Sequence, residues 1–257
     1  MRLTPSLREK VWGKTRLQPW FADSPAPIGE AWFLADHELP LLIKLLFTSE
    51  RLSIQVHPDD GEDGPRGKTE MWHILEAEPG ATIAMGFREP ITRDRLREAT
   101  RTGQIEQLVN WVPVKAGETY FIPAHTVHAI GAGIVLFEIQ QNSDVTYRLW
   151  DYGRPRELHI DRAVPVCDLT VHAGPAKPAA LNDTSDRLVK SKHFVTDLVR
   201  VPAGERLQDP AADQFWLCIS GDGAIAEEPY KPGDVFVSNG DPVRAHTDSR
   251  FLRTWKP

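Results

Sequence analysis

The stretch Ser53-Ile-Gln-Val-His57-Pro-Asp-Asp60 reads as a strand that ends in a turn. Residues two apart in a strand point to the same face, so Gln55 and His57 converge on one side. Two further stretches repeat the pattern. In Lys68-Thr-Glu-Met-Trp72, Lys68 and Glu70 share a face. In Ile122-Pro-Ala-His-Thr-Val-His128-Ala-Ile-Gly131, preceded by a turn at Lys115-Ala-Gly117, His128 sits on a short segment between two β runs.

Working outward, strand-like runs separated by turns fill most of the first two thirds of the chain: Leu41–Phe47, Leu52–His57, Glu70–Leu75, Thr82–Gly86, Thr119–Ile122, Ile134–Gln140 and Thr146–Trp150. Upstream, the Trp-, Pro- and Gly-rich segment Val11–Asp36 offers only a short run at Ala31–Leu34. Thr92–Asn110 differs, with Leu96, Ile105, Leu108 and Val109 among many charges, and predicts a short helical insertion at about 91–110. Ala173–Ala180 (AGPAKPAA) has the composition of a linker. Beyond it, Phe194–Val201, Gln214–Ser220, Asp234–Ser238 and Arg250–Trp255 again look like strands. Twenty-one prolines and eighteen glycines suit many short strands and turns. The expected architecture is mainly β, with a larger domain over 1–172 and a smaller one over 181–257.

The bulk numbers exclude several classes. A net charge of −6 argues against a general nucleic-acid binder. Met1–Lys14 lacks the apolar core of a signal peptide, and the greasy stretch Leu39–Phe47, interrupted by Lys44, is too short to span a bilayer. Cys167 and Cys218 give no framework for disulfides or metal and are expected to fill the core. A cytoplasmic protein is expected, with no membrane and no nucleic-acid partner.

Gln55, His57, Glu70 and His128 together form a mixed nitrogen and oxygen set suited to a divalent ion. With one carboxylate among neutral partners, a bound dication keeps net positive charge, which serves to polarise an oxygen of an anionic substrate. Singly, each has an ordinary reading as a half-buried or solvated polar residue. His37, His159, His172, His193 and His246 are left with that reading; only the combination of four, each on a strand ending in a turn, points to metal.

The ordered motifs Pro40-Leu-Leu-Ile-Lys44, LSIQVHPDD (52–60), GKTEMWHIL (67–75), FIPAHTVHAIGAG (121–133), EIQQNSDVTYRLWDYGR (138–154) and RELHI (156–160) resemble the type I mannose-6-phosphate isomerase family. Val11-Trp-Gly13 and Gly29-Glu-Ala-Trp32 fit as well. The resemblance runs from about Val11 to Val164. It implies a cupin-type jelly-roll barrel and one catalytic zinc per chain, held by Gln55, His57, Glu70 and His128. Gly117 and Pro123 match the family's cupin signature, and His125 stands where many cupins have a small glycine. The resemblance further implies a sugar-phosphate substrate faced by Glu138 and Arg148, ten apart and read as one face, with Arg154 in a position where related enzymes carry a basic residue. Arg148, with Arg154 or Lys68, is expected to anchor the phosphate or the polarised oxygens, and Glu138 to be the base, with Lys68 its competitor. In the C-terminal part, Ile219-Ser-Gly-Asp-Gly223 and Lys231-Pro-Gly-Asp234 mimic barrel turns without a His/Glu cluster, which suggests a degenerate cupin-like lobe. The expected assembly is a monomer or homodimer.

The same chemistry on a different aldose phosphate stays open on the sequence, as do two other readings. One is a different metal-dependent cupin enzyme, such as an iron dioxygenase, against which the Gln ligand and the arginine strand count. The other is a non-catalytic sugar-phosphate-binding cupin, against which the presence of Lys68, Glu138 and Arg148 beside all four ligands counts.

Overall fold

The computed structural model describes residues 1–209 and 211–257. Twelve strands and three helices precede the turn at Asp183: β1 (Thr4–Lys14), β2 (Ile28–Leu34), β3 (Leu41–Thr48), β4 (Ile54–Val56), β5 (Glu70–Ala77), β6 (Thr82–Phe87), α1 (Arg93–Thr102), α2 (Ile105–Leu108), β7 (Val109–Pro113), β8 (Thr119–Ile122), β9 (His128–Ile130), β10 (Ile134–Gln141), β11 (Tyr147–Trp150), α3 (Ile160–Val166) and β12 (Ala179–Asn182). Nine strands follow: β13 (Ser185–Lys190), β14 (Val195–Val201), β15 (Arg206–Leu207), β16 (Gln214–Ser220), β17 (Gly223–Ile225), β18 (Glu228–Tyr230), β19 (Val235–Ser238), β20 (Val243–Ala245) and β21 (Ser249–Trp255).

The strands form four sheets, ordered β1-β2-β3-β10-β5-β8, β11-β4-β9-β6-β7, β12-β13-β14-β21-β16-β19 and β15-β20-β17-β18. The mainly β, cupin-type architecture expected from the sequence is the one observed, with each half built as two facing antiparallel sheets. Between the first two sheets lies a core that includes Trp72, Ile74, Ile83, Met85, Ile130 and Leu136. Strand alternation explains why β3, β5 and β10 read as nearly continuous apolar runs: both faces are buried. On β3 the odd residues Leu41 to Phe47 face one way, while Leu46 joins the inner core and Lys44 lies with it on that face. On β5 and β10, Met71, Val135, Phe137 and Ile139 face outward from the sandwich, whereas Trp72, Ile74 and Leu136 face in.

The outward faces are not solvated. They pack against Leu188, Val189, Phe194, Leu198, Phe215, Leu217, Val235 and Leu252 of the C-terminal sheet in one apolar cluster. The link extends to the first residues: the Leu3 amide donates to Val235 O at 2.8 Å and the Val237 amide to Met1 O at 2.9 Å. We therefore expect the two halves to unfold together. Leu217→Ala, at a fully buried position in that cluster, should cost about 2–5 kcal/mol and move a single calorimetric transition downward. Two separated transitions, with only one displaced, would show that the halves are independent.

The helical insertion falls where the periodicity predicted it. Thr92 caps α1 through its hydroxyl, which accepts from the Arg95 amide, and Gly103 ends it with a left-handed φ of 77°. Leu96, Ala99 and Ile105 bury against the five-stranded sheet together with Ala163 and Val164 of α3. Other elements depart from expectation. The eleven-residue β1 pairs along β2 through a stretch whose charges gave no strand pattern; as the edge of its sheet it is largely exposed. The α3 helix was also not anticipated, and β12 begins inside the segment read as a linker. Cys167 and Cys218 are buried and unbridged. The second sandwich is filled by Trp216, Cys218, Tyr230, Phe236 and Phe251, so side-chain bulk occupies its interior. Among the described residues, no helix is long and apolar enough to cross a membrane.

Candidate active site

Three of the four expected metal-binding side chains meet in the interior of the first sandwich as a tight group, His57, Glu70 and His128. Gln55 on β4 pairs in register with His128 on β9, and Glu70 opens β5 in the facing sheet. His57 Nε2 lies 3.5 Å from Glu70 Oε2, His128 Nε2 3.5 Å from Glu70 Oε1, and Gln55 Nε2 3.3 Å from His128 Nε2. His57, Glu70 and His128 are at most 1 % exposed.

The outer nitrogens of both rings are anchored. His57 Nδ1 donates to Val145 O at 2.9 Å and His128 Nδ1 to Thr126 O at 2.8 Å, which leaves each Nε2 as a lone pair turned inward. His57 Nε2 and both Glu70 oxygens have no hydrogen-bond partner although they are buried. Buried polar atoms without partners are costly, and two imidazole lone pairs facing one carboxylate are a coordination set. Gln55 Oε1 now accepts from Ser53 Oγ at 3.1 Å. Turning the amide over presents that oxygen to the cluster and lets its NH₂ donate to the serine, with no change of shape. The residues therefore fit a divalent cation. Burial drives the electrostatics: it pushes both histidines down, His128 to about 4, and keeps them neutral. Burial, reinforced by Glu138, pushes Glu70 up to about 8.

A cavity of about 250 Å³ reaches this cluster at Gln55 and is lined also by Lys44, Lys68, Glu138 and Arg148 and, from the first hairpin, by Lys10, Trp12 and Glu30. Lys68 Nζ is 3.8 Å from Glu70 Oε2. Lys44 donates to Glu138 Oε1 at 2.9 Å, and Trp72 Nε1 donates to Oε2 at 3.0 Å. Burial works to raise the Glu138 pKa, but Lys44 and Lys68, with these two hydrogen bonds, outweigh it and hold the carboxyl below its ordinary value. The direction is opposite to the rise toward neutrality that a general base tuned by desolvation would show. Lys44 itself is raised: burial opposes its charge, and Glu138, Glu30 and Asp144 together more than compensate.

Two sequence expectations are corrected. Glu138 and Arg148 do not share a strand face; the turn between β10 and β11 places them in different sheets, and they meet across the cavity. Arg154 is not brought to the cavity. Its guanidinium is held by the buried Asp151 carboxylate at 2.7 Å and by Arg51 O at 2.8 Å, and it lies beside a separate surface cleft. Arg156, two residues on, binds Asp151 from the other side and lines the cavity instead. His159 lines it as well, although it was read as an ordinary histidine. Lys44 could have been found from its own signal, a charge in the middle of an apolar run. His125 adopts a left-handed φ of 72° and meets Glu62 at 2.8 Å, outside the cavity. His73 points away from the cluster and bonds Thr119.

Comparison with known proteins follows the same line. No protein-family model matches the chain. It is similar to a mannose-6-phosphate isomerase of Streptococcus mutans, 30% identical over 271 residues that cover 87% of this chain and 85% of that protein. A probable mannose-6-phosphate isomerase of Bacillus subtilis is 31% identical, covering 97% and 91%. The crystal structure of the Bacillus subtilis mannose 6-phosphate isomerase superposes with a TM-score of 0.86 at 28% identity, covering 99% of this chain and 98% of that one. A metal-competent cluster under a cationic cavity, on a fold and sequence shared over nearly the whole chain, places this protein in the mannose-6-phosphate isomerase family of aldose–ketose isomerases.

Proposed function

We propose that the chain interconverts mannose 6-phosphate and fructose 6-phosphate through a cis-enediol, with one zinc ion held by Gln55, His57, Glu70 and His128. The observation that carries this reading is the set of unpartnered buried atoms on His57 and Glu70, turned toward the His128 lone pair, beside a cavity that Gln55, Lys44, Lys68 and Arg148 line. A zinc ion held there would supply the positive charge that polarises the substrate at its reacting end.

The remaining work falls to the side chains of the chain itself. Glu138, kept ionised by Lys44 and Lys68 with a hydrogen bond from Trp72, is the proposed base and accepts the C2 proton of the open-chain aldose. As the C1 carbonyl oxygen gains a proton the enediol forms; return of the proton to C1, with loss of the O2 proton, gives the ketose. Lys68, buried beside Glu70, is the proposed hydrogen-bond donor to the developing oxyanion. Arg148, opposite Gln55 in the β11–β4 register, anchors the phosphate, whose binding orients the reacting end.

The test is direct. Zinc-loaded protein incubated with mannose 6-phosphate should form fructose 6-phosphate, and a chelator should abolish that turnover. Metal-loaded protein that binds the sugar phosphate and never converts it would replace the enzyme reading with a binding one.

A further inference from the structure

His159 belongs to none of the roles above, yet it lines the cavity together with Arg148 and Arg156. Its backbone is locked to β11: the His159 amide donates to Arg148 O at 2.8 Å. Its ring is locked to the same residue, because the Arg148 amide donates to His159 Nδ1 at 3.1 Å. An imidazole nitrogen that accepts an N–H carries no proton, so the neutral ring must bear its hydrogen on Nε2. Among the described residues, Nε2 makes no hydrogen bond; the exposed Glu157 carboxylate is 3.9 Å away.

The surroundings favour the neutral form. Burial and then the Arg148 charge lower the pKa of the ring. Protonation would also break the bond from the Arg148 amide. The nearby guanidiniums differ in how far they are committed. Arg156 is taken up by Asp151. Arg148 spends only one long contact, 3.4 Å, on Glu157 O. The wall therefore offers unspent donors and fixed positive charge, which is the complement of a phosphate dianion.

Taking the isomerase reading as given, we infer that His159 is a substrate-binding residue: a neutral imidazole with a fixed Nε2–H that donates to the phosphate of the sugar beside the Arg148 guanidinium. A lysine or arginine there would add charge; a neutral donor adds direction. Its orientation needs no ordering on binding, because the β11 backbone already holds the ring.

The deciding variant is His159→Asn. The Asn side-chain oxygen stands where Nδ1 stood and can still accept from the Arg148 amide, while the donor at Nε2 is lost. The expected result is a KM for mannose 6-phosphate about tenfold higher, with kcat nearly unchanged. The inhibition constant of inorganic phosphate should rise in parallel. Wild-type values for both would overturn the inference and leave His159 as a cap on β11; so would a fall in kcat with phosphate inhibition intact. Should the variant fail to fold, nitrogen NMR of wild-type imidazoles gives a second reading. His159 should appear as the neutral Nε2–H tautomer, and its Nε2–H signal should move on addition of inorganic phosphate; an unmoved signal overturns the inference. These outcomes are read against wild-type turnover, so an inert wild type would sink the isomerase reading, and an unaffected Asn variant only the role of His159.

Discussion

Glu70→Gln is expected to lower turnover by about a thousandfold or more, because it removes the only carboxylate of the coordination set. The same change should stabilise the metal-stripped protein at alkaline pH. In the folded chain burial and the Glu138 charge push the Glu70 pKa up to about 8, against about 4.3 in an unfolded chain. Between those values the folded state holds a proton that the unfolded state releases. The contribution to stability is thus complete below the unfolded value and is lost as pH rises through about 8. Glutamine neither titrates nor carries charge, so the stripped variant lacks that decline. Thermal melts in chelator from pH 5 to 9 should show wild type falling and the variant holding, with the variant melting higher at pH 9. Coincident melts at pH 9 would mean that Glu70 is not the uncompensated buried charge. Zinc should reverse the order, stabilising wild type strongly and the variant little.

Lys44→Met is the second large effect. Lys44 and Glu138 are 2 % and 6 % exposed at their side chains and 2.9 Å apart. Removing one partner of a buried pair leaves the other charge without compensation, at a cost of about 3–5 kcal/mol. Glu138 would then lose the interaction that keeps it ionised, its pKa would rise, and turnover at neutral pH should drop by about a hundredfold. The double variant Lys44→Met/Glu138→Gln separates the two consequences. It should regain most of the stability, since no buried charge is left alone, and none of the activity. A double variant as unstable as the single one would assign the loss to packing around Trp72 instead of charge.

The parts of this molecule that were legible in sequence share a physical cause. Runs such as Leu41–Phe47 and Ile134–Gln140 are buried on both faces, so their composition alone declares them. The ligand strands were legible because alternation within one short strand is reliable: Gln55 and His57 do share a face. Alternation counted across a turn is not, and the Asn142–Thr146 turn is why the Glu138–Arg148 spacing misled. Arg154 was expected beside the phosphate, and its place away from the cavity has a different cause. It follows β11 in an irregular stretch where the buried Asp151 carboxylate binds it and Arg156 alike, and of the two Arg156 lines the cavity. The strand β1 hid because an exposed edge strand has little apolar pattern to show. His159 hid because a histidine becomes informative only when its hydrogen-bond partners are known.

The contact between Met1–Leu3 and β19 bears on how the protein is made. Met1 and Leu3 find their partners, Val237 and Val235, only after more than two hundred further residues have been added to the chain. At bacterial or eukaryotic elongation rates that wait is on the order of ten seconds or longer. During it the apolar outer faces of β3 and β10 have nothing from the C-terminal sheet to cover them, so the nascent chain passes through a stage in which that surface is open to aggregation.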